Sequence, residues 1–177
     1  MTLTSRILAA LALSVTLLGS AAAGSLDIVI NGKSHHINSR YDWNEDNLGL
    51  GLEYEFDSRS RWVRTLHANS FRDSLENMCH MAGAGLKRRL FETDRLGGLH
   101  FDAGVVAFLM SRKDINDSRP FPGILPAVTL GNRYGGVNLT YLPKMAVHDI
   151  ARADVVDPTI GGILFLQFKL RMSWSDD

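Results

Sequence analysis

Strict alternation of apolar and polar side chains is the feature that most limits what this chain can become. Leu48, Leu50, Leu52, Tyr54 and Phe56 alternate with Gly49, Gly51, Glu53 and Glu55. A period of two places the first set on one face of an extended strand and the second on the other. Near the end of the chain, Leu164, Leu166, Phe168, Leu170 and Met172 alternate with Phe165, Gln167, Lys169 and Arg171. Val137, Leu139 and Tyr141 alternate with Asn138 and Thr140 in the same way. A helix would repeat its apolar residues at three-and-four spacing, and none of these runs does so.

Turn-forming residues cut the chain into segments. Asn31-Gly32 marks either a turn or a bulge. Further breaks fall at Asp57 to Ser60, Glu76-Asn77, Gly97-Gly98, Asn116 to Ser118 and Asn132-Arg133. The pattern predicts eight strands, over 26–38, 47–57, 61–73, 79–92, 98–112, 122–131, 134–143 and 161–172. The connection from Lys144 to Pro158 is the longest and has room for a short helix. An even number of strands about ten residues long predicts an all-β fold, an eight-stranded antiparallel up-and-down barrel, of outer-membrane type if its apolar faces point outward.

Residues 1–23 are expected to be a secretory signal peptide. Arg6 supplies the positive start, Ile7 to Leu18 carries no charge and is mostly apolar, and Ala21-Ala22-Ala23 gives a small-residue cleavage site. Residues 24–177 are then a single barrel domain, exported either to the bacterial periplasm or to the outer membrane. The 19 basic and 19 acidic side chains balance, which argues against a nucleic-acid partner, since that needs an excess of positive charge. The one cysteine, Cys79, excludes an internal disulfide and a cysteine-based zinc site. His67, His80, His100 and His148 lack the spacing of a metal site, and no cofactor or metal is expected.

In such a barrel the apolar stripes face lipid and the polar residues face the lumen. The period alone fits the opposite sense equally well, a soluble periplasmic lipid-binding barrel of lipocalin type. Gly49 and Gly51 share one face, as do Gly83 and Gly85. Four missing side chains either leave a slot for a linear ligand or relieve strand curvature. Glu53, Glu55, Lys87, Arg89, Lys169 and Arg171 are expected to form a luminal salt-bridge plug.

Four segments carry a resemblance. Pro120, Pro122 and Pro126, followed by Thr140-Tyr141-Leu142-Pro143, match the Pro-x-Pro-x-x-x-Pro and Thr-Tyr-aliphatic-Pro elements of one family at the same separation. Phe71-Arg72-Asp73-Ser74 is similar to its Phe-Lys-Asp-Ser element, and Ala82-Gly83-Ala84-Gly85 to its Ala-Gly-x-Gly element. Asp27 to His36 can be laid on its first strand without a gap. The chain thus resembles the outer-membrane lipid A palmitoyltransferases, the PagP-type barrels. The resemblance implies an integral, monomeric outer-membrane barrel with a buried acyl-chain pocket, transferring an acyl chain from a phospholipid to lipid A. It carries the family's catalytic residues onto His36, Asp73 and Ser74, and the pocket floor onto Gly85.

His36 is then a general base oriented by Asp73, and Ser74 a nucleophile or an oxyanion donor. Which of His35 and His36 points inward depends on a single register step. Pro126 and Pro143, lacking an N–H donor, would interrupt strand pairing and open a lateral gap for a lipid tail. Two departures from the family are expected, namely no amphipathic helix ahead of the first strand and a short first outer loop over 38–47. They keep a second reading in play, a non-enzymatic barrel that binds or passes a small amphiphile.

Overall fold

The computed structural model describes residues 24–113, 115, 118–149 and 157–172. The expected signal peptide, residues 116–117 of one expected turn and part of the 144–158 connection lie outside them. Eight strands form: β1 (Gly24–Ile37), β2 (Asp46–Phe56), β3 (Trp62–Arg72), β4 (Met78–Glu92), β5 (His100–Ser111), β6 (Phe121–Asn132), β7 (Gly135–Pro143) and β8 (Gly162–Met172). Each expected strand is present, with boundaries moved by up to two residues. Each strand pairs antiparallel with the next, and β8 pairs with β1, so the sheet closes into a barrel. Closure gives every strand a neighbour on both sides.

Asn31-Gly32 is a bulge: the pairing of β1 with β8 shifts register between Asn31 and Ser34. An extra residue of this kind sharpens local twist and re-aims the side chains beyond it. It therefore fixes which way His35 and His36 point. A short helix, α1 (Lys144–Asp149), follows β7 directly, where Pro143 ends the strand.

The sense of alternation is clear from exposure. Leu48 and Leu50 are 68% and 64% exposed, whereas Glu53 and Lys169 on the other parity are 4% and 5% exposed. The aliphatic faces point outward and the charged faces inward, the reverse of a lipocalin-type barrel. Leu52, Leu66, Leu86, Leu109, Ile124, Leu130, Phe168 and Leu170 continue the outer apolar surface around the wall.

The lumen has two halves. Towards the chain-terminal end it is filled by ions. Lys169 Nζ donates to Glu53 Oε1 at 2.5 Å and lies 2.7 Å from Asp27 Oδ2. Arg171 Nε donates to Asp27 Oδ1 at 2.7 Å, and Arg89 Nε to Asp102 Oδ1 at 3.0 Å. Glu55 lies 3.5 Å from both Arg89 and Arg171. Lys87 donates to Thr129 Oγ1 at 2.7 Å, Thr129 to Asn138 Oδ1 at 2.6 Å, and Asn138 to Glu53 Oε2 at 3.1 Å. Four carboxylates thus face four cations, so the buried charges compensate one another, as burial requires. This is the expected plug, with Asp27 and Asp102 added to it. The other half of the lumen is apolar and open, and it leads to the rim that carries His36.

Candidate active site

At this rim β3 ends at Arg72, and the β3–β4 turn carries Asp73 and Ser74. Asp73 builds the turn. Its Oδ1 accepts the backbone N–H groups of Leu75 and Asn77, both at 2.9 Å, and its own N–H donates to the Asn77 carbonyl at 2.8 Å. An aspartate that takes up backbone donors two and four residues on holds a tight turn without help from the sheet. Because the strand has ended, the Ser74 side chain is free to turn towards the lumen, which period-two geometry would otherwise forbid.

His36 lies near the end of β1, buried, with His35 exposed on the outer face. His36 Nε2 is 3.0 Å from Ser74 Oγ. On the other side of the ring, Nδ1 is 3.3 Å from Glu45 Oε1, which also accepts the His36 backbone N–H at 2.9 Å. Trp43 stacks on the imidazole, with ring centroids 5.2 Å apart and planes 13° from parallel. The expectation that Asp73 orients His36 does not fit these bonds. The Asp73 carboxylate serves its own turn through Oδ1 and faces Arg112 Nε at 3.2 Å through Oδ2. The carboxylate at the imidazole is that of Glu45.

Loops hold this arrangement from above. Trp43 Nε1 donates to Ser39 Oγ at 2.7 Å. Asp157 accepts from Ser39 Oγ at 2.5 Å and from the backbone N–H of Arg40 at 2.7 Å. Its other oxygen accepts from Thr159 Oγ1 at 2.6 Å. Hydrogen bonds from Ser39 and Thr159 hold the Asp157 carboxyl well below the usual carboxylate range. Trp43, Val147 of α1 and Ile160 form a small buried cluster against Leu75, Leu142 and Ile163. Full burial contributes about 1.5–3 kcal/mol for a side chain such as Val147 or Ile160. The first rim loop, over 38–45, is as short as the spacing predicted.

Beneath Ser74 lies a cavity of about 170 Å³. Phe71, Phe108, Phe165, Met81, Met110 and Leu142 supply much of its wall, and Glu53, Lys87 and Gln167 meet it at the ion-filled half. The expected pocket glycines stand behind this wall. A side chain at Gly51 would strike the Asn69 side chain, one at Gly83 the Ala107 carbonyl and the Phe108 backbone, one at Gly49 the Ser70 carbonyl and the Phe71 backbone, and one at Gly85 the Thr65 hydroxyl. The glycine on the cavity surface is Gly123, against which the Phe108 ring lies. Sequence reasoning missed the aromatic wall, although a signal was present. Phe71 and Phe165 sit on the polar parity of their strands, where an aromatic residue marks an apolar stretch of lumen. Glu45, Trp43 and Arg112 gave no such signal.

The wall is incomplete at one place. The β6–β7 ladder runs from Asn132–Gly135 to Ala127–Thr140 and ends there. Beyond it β6 continues to Phe121 on β5, and β7 to Pro143 on β8. Pro126 sits one residue past the last β6–β7 pair, and Pro143 at the far end of β7.

The closed barrel has an aliphatic exterior, ion pairs across one half of its lumen and an apolar cavity in the other. It defines a small outer-membrane-type β-barrel that encloses an apolar space under an imidazole–hydroxyl pair. Residues 20–155 match the family described as antimicrobial peptide resistance and lipid A acylation protein PagP. The chain is similar to the lipid A acyltransferase PagP of Methylobacillus flagellatus, 32% identical over 127 residues, covering 68% of this chain and 67% of that one. It is similar to the protein of the same name from Bordetella pertussis, 35% identical over 129 residues and 68% of each chain. A third, from Laribacter hongkongensis, is 34% identical over 105 residues, covering 58% of this chain and 48% of the other. The chain belongs to the PagP family, and with this fold it is an outer-membrane protein.

Proposed function

We propose that this protein transfers an acyl chain from a phospholipid to a hydroxyl of lipid A at the rim that carries His36 and Ser74. The observation that carries the proposal is the 3.0 Å approach of His36 Nε2 to Ser74 Oγ directly above an apolar cavity. His36 takes the Ser74 proton as Oγ attacks the ester carbonyl. The ester C–O bond breaks, and the lysophospholipid leaves with the proton from His36. A lipid A hydroxyl then gives its proton to His36 and bonds to the acyl carbon, while Ser74 Oγ departs and is reprotonated. Asp73 acts by holding the turn that presents Ser74.

The acyl chain lies in the cavity. Gly49, Gly51, Gly83 and Gly85 serve it indirectly: Gly49 and Gly83 let the neighbouring strand approach closely behind Phe71 and Phe108, and Gly51 and Gly85 leave room for the Asn69 and Thr65 side chains. The opening above the Ala127–Thr140 pair, bordered by Pro126 and Pro143, is the lateral access for the donor lipid. The barrel is integral to the membrane and monomeric, and its signal peptide is removed near Ala23.

The test compares lipid A mass profiles from cells with and without the gene, alongside purified protein given a phospholipid donor. The expected result is lipid A heavier by one acyl chain, lowered about 10²–10⁴-fold by His36→Ala and by Ser74→Ala. Unchanged lipid A, with purified protein also inactive, overturns the proposal. A cellular phenotype untouched by either substitution points to the non-enzymatic barrel.

A further inference from the structure

The proposed reaction asks more of His36 than nearness to Ser74. Its Nε2 must carry a lone pair, so its proton must sit on Nδ1, and the ring must not turn. At Nδ1 stands Glu45 Oε1, 3.3 Å away, and the same oxygen accepts the backbone N–H of His36 at 2.9 Å. A carboxylate can only accept, so the contact favours the tautomer with the proton on Nδ1 and the lone pair on Nε2. Because Glu45 holds both the backbone and the ring of His36, ring rotation would break one of its two bonds. Trp43, stacked on the ring face, blocks movement in the remaining direction.

Glu45 stays ionised at this position. Burial works to raise its carboxyl, but the backbone N–H and imidazole of His36, with His35 nearby, outweigh it and hold it below the usual range. Among the described residues, the neighbouring carboxylates are paired with other groups. Asp46 is paired with Lys33 at 2.6 Å, and Asp73 faces Arg112 across the rim. His35 touches Glu45 from the outer face at 3.5 Å.

We propose that Glu45 is the positioning carboxylate for His36, fixing the tautomer and the aim of the base through Nδ1. The proposal rests on the reading of His36 and Ser74 as the reacting pair. It assigns to Glu45 the orienting part that the family resemblance gives to Asp73.

The experiment uses the full barrel in detergent micelles with isotope-labelled histidine, as wild type, Glu45→Gln, Glu45→Ala and Asp73→Asn. Without the Glu45 charge the imidazolium loses its stabilising neighbour. In Glu45→Gln, His36 is therefore expected to titrate at lower pH than in wild type, and the acid limb of the kcat/KM profile to move the same way. Glu45→Ala should lower kcat about 10–100-fold with KM unchanged. Glu45→Gln should lower it less, because an acceptor oxygen remains. If Asp73→Asn moves the His36 titration and Glu45→Gln does not, the proposal is overturned. A wild-type barrel without transfer activity overturns the reaction reading itself. The His36 titration would then still decide, either way, whether Glu45 holds the ring. Should Glu45→Ala fail to fold, judged by its gel mobility, the near-isosteric Gln variant carries the test.

Discussion

The Lys169 ammonium and the Glu53 carboxylate meet across the lumen at 2.5 Å, although 116 residues separate them in the chain. The same ammonium reaches Asp27. One cation from the last strand therefore ties the first two strands together, at the seam where β8 closes onto β1. Removing a single partner from a buried pair leaves an uncompensated charge, which costs far more than the pair contributes in net terms.

Lys169→Met is accordingly expected to destabilise the barrel by about 3–5 kcal/mol, as measured by urea unfolding in micelles. Lys87→Met should cost less. Its Nζ is 3.9 Å from Glu53, and Glu53 would keep Lys169. Equal losses for the two variants would contradict the central place given to Lys169.

Gly123 and Phe108 offer control of the cavity. A Cβ at position 123 would come within 2.5 Å of the Phe108 ring. Gly123→Ala should push that ring into the cavity, at a cost of about 1–3 kcal/mol. Phe108→Ala should have the opposite effect on volume. With donor phospholipids of mixed composition, the first variant is expected to transfer shorter acyl chains than wild type and the second longer ones. An unchanged distribution in both would place the acyl chain elsewhere.

Asp157 should govern the order of the rim. Its folded-state carboxyl lies below the ordinary range because Ser39 and Thr159 donate to it. A depressed carboxyl stabilises fully above its ordinary pKa, and that stability is lost as pH falls through the depressed value. In wild type, hydrogen-exchange protection of residues 39–43 should therefore persist on acidification past the normal carboxylate range, fading only below it. Asp157→Asn should show weakened protection at neutral pH, with the strands unaffected. Equal protection in both proteins would show that the loop is held by the Trp43 cluster alone.

The strands were legible because a wall one residue thick writes its two environments into alternate positions, as from Leu48 to Phe56. Which environment was lipid and which lumen was not legible, since reversing inside and outside leaves the pattern unchanged. Asp73 and Ser74 were readable as a rim pair because Leu75-Glu76-Asn77 ends the strand immediately. The contact between His36 and Ser74 joins residues 38 apart, and only barrel closure and the bulge at Asn31 bring them together. Glu45 was not legible at all. It lies in an aperiodic loop, and its role depends on the direction of one hydrogen bond.

The interrupted ladder between β6 and β7 has one more consequence. Pairing of β6 with β5 runs without a break through both Pro122 and Pro126. Two residues of the same parity direct their backbone groups to the same flank, so the N–H groups missing from these prolines belong to the open side. An ordinary sheet edge invites another strand to dock on it, which is how barrels swap segments and aggregate. This edge lacks two of its three donors where it is bare, with Ile124 keeping the remaining one. It can admit a flexible hydrocarbon, which asks for no hydrogen bonds, while offering a second polypeptide little to hold.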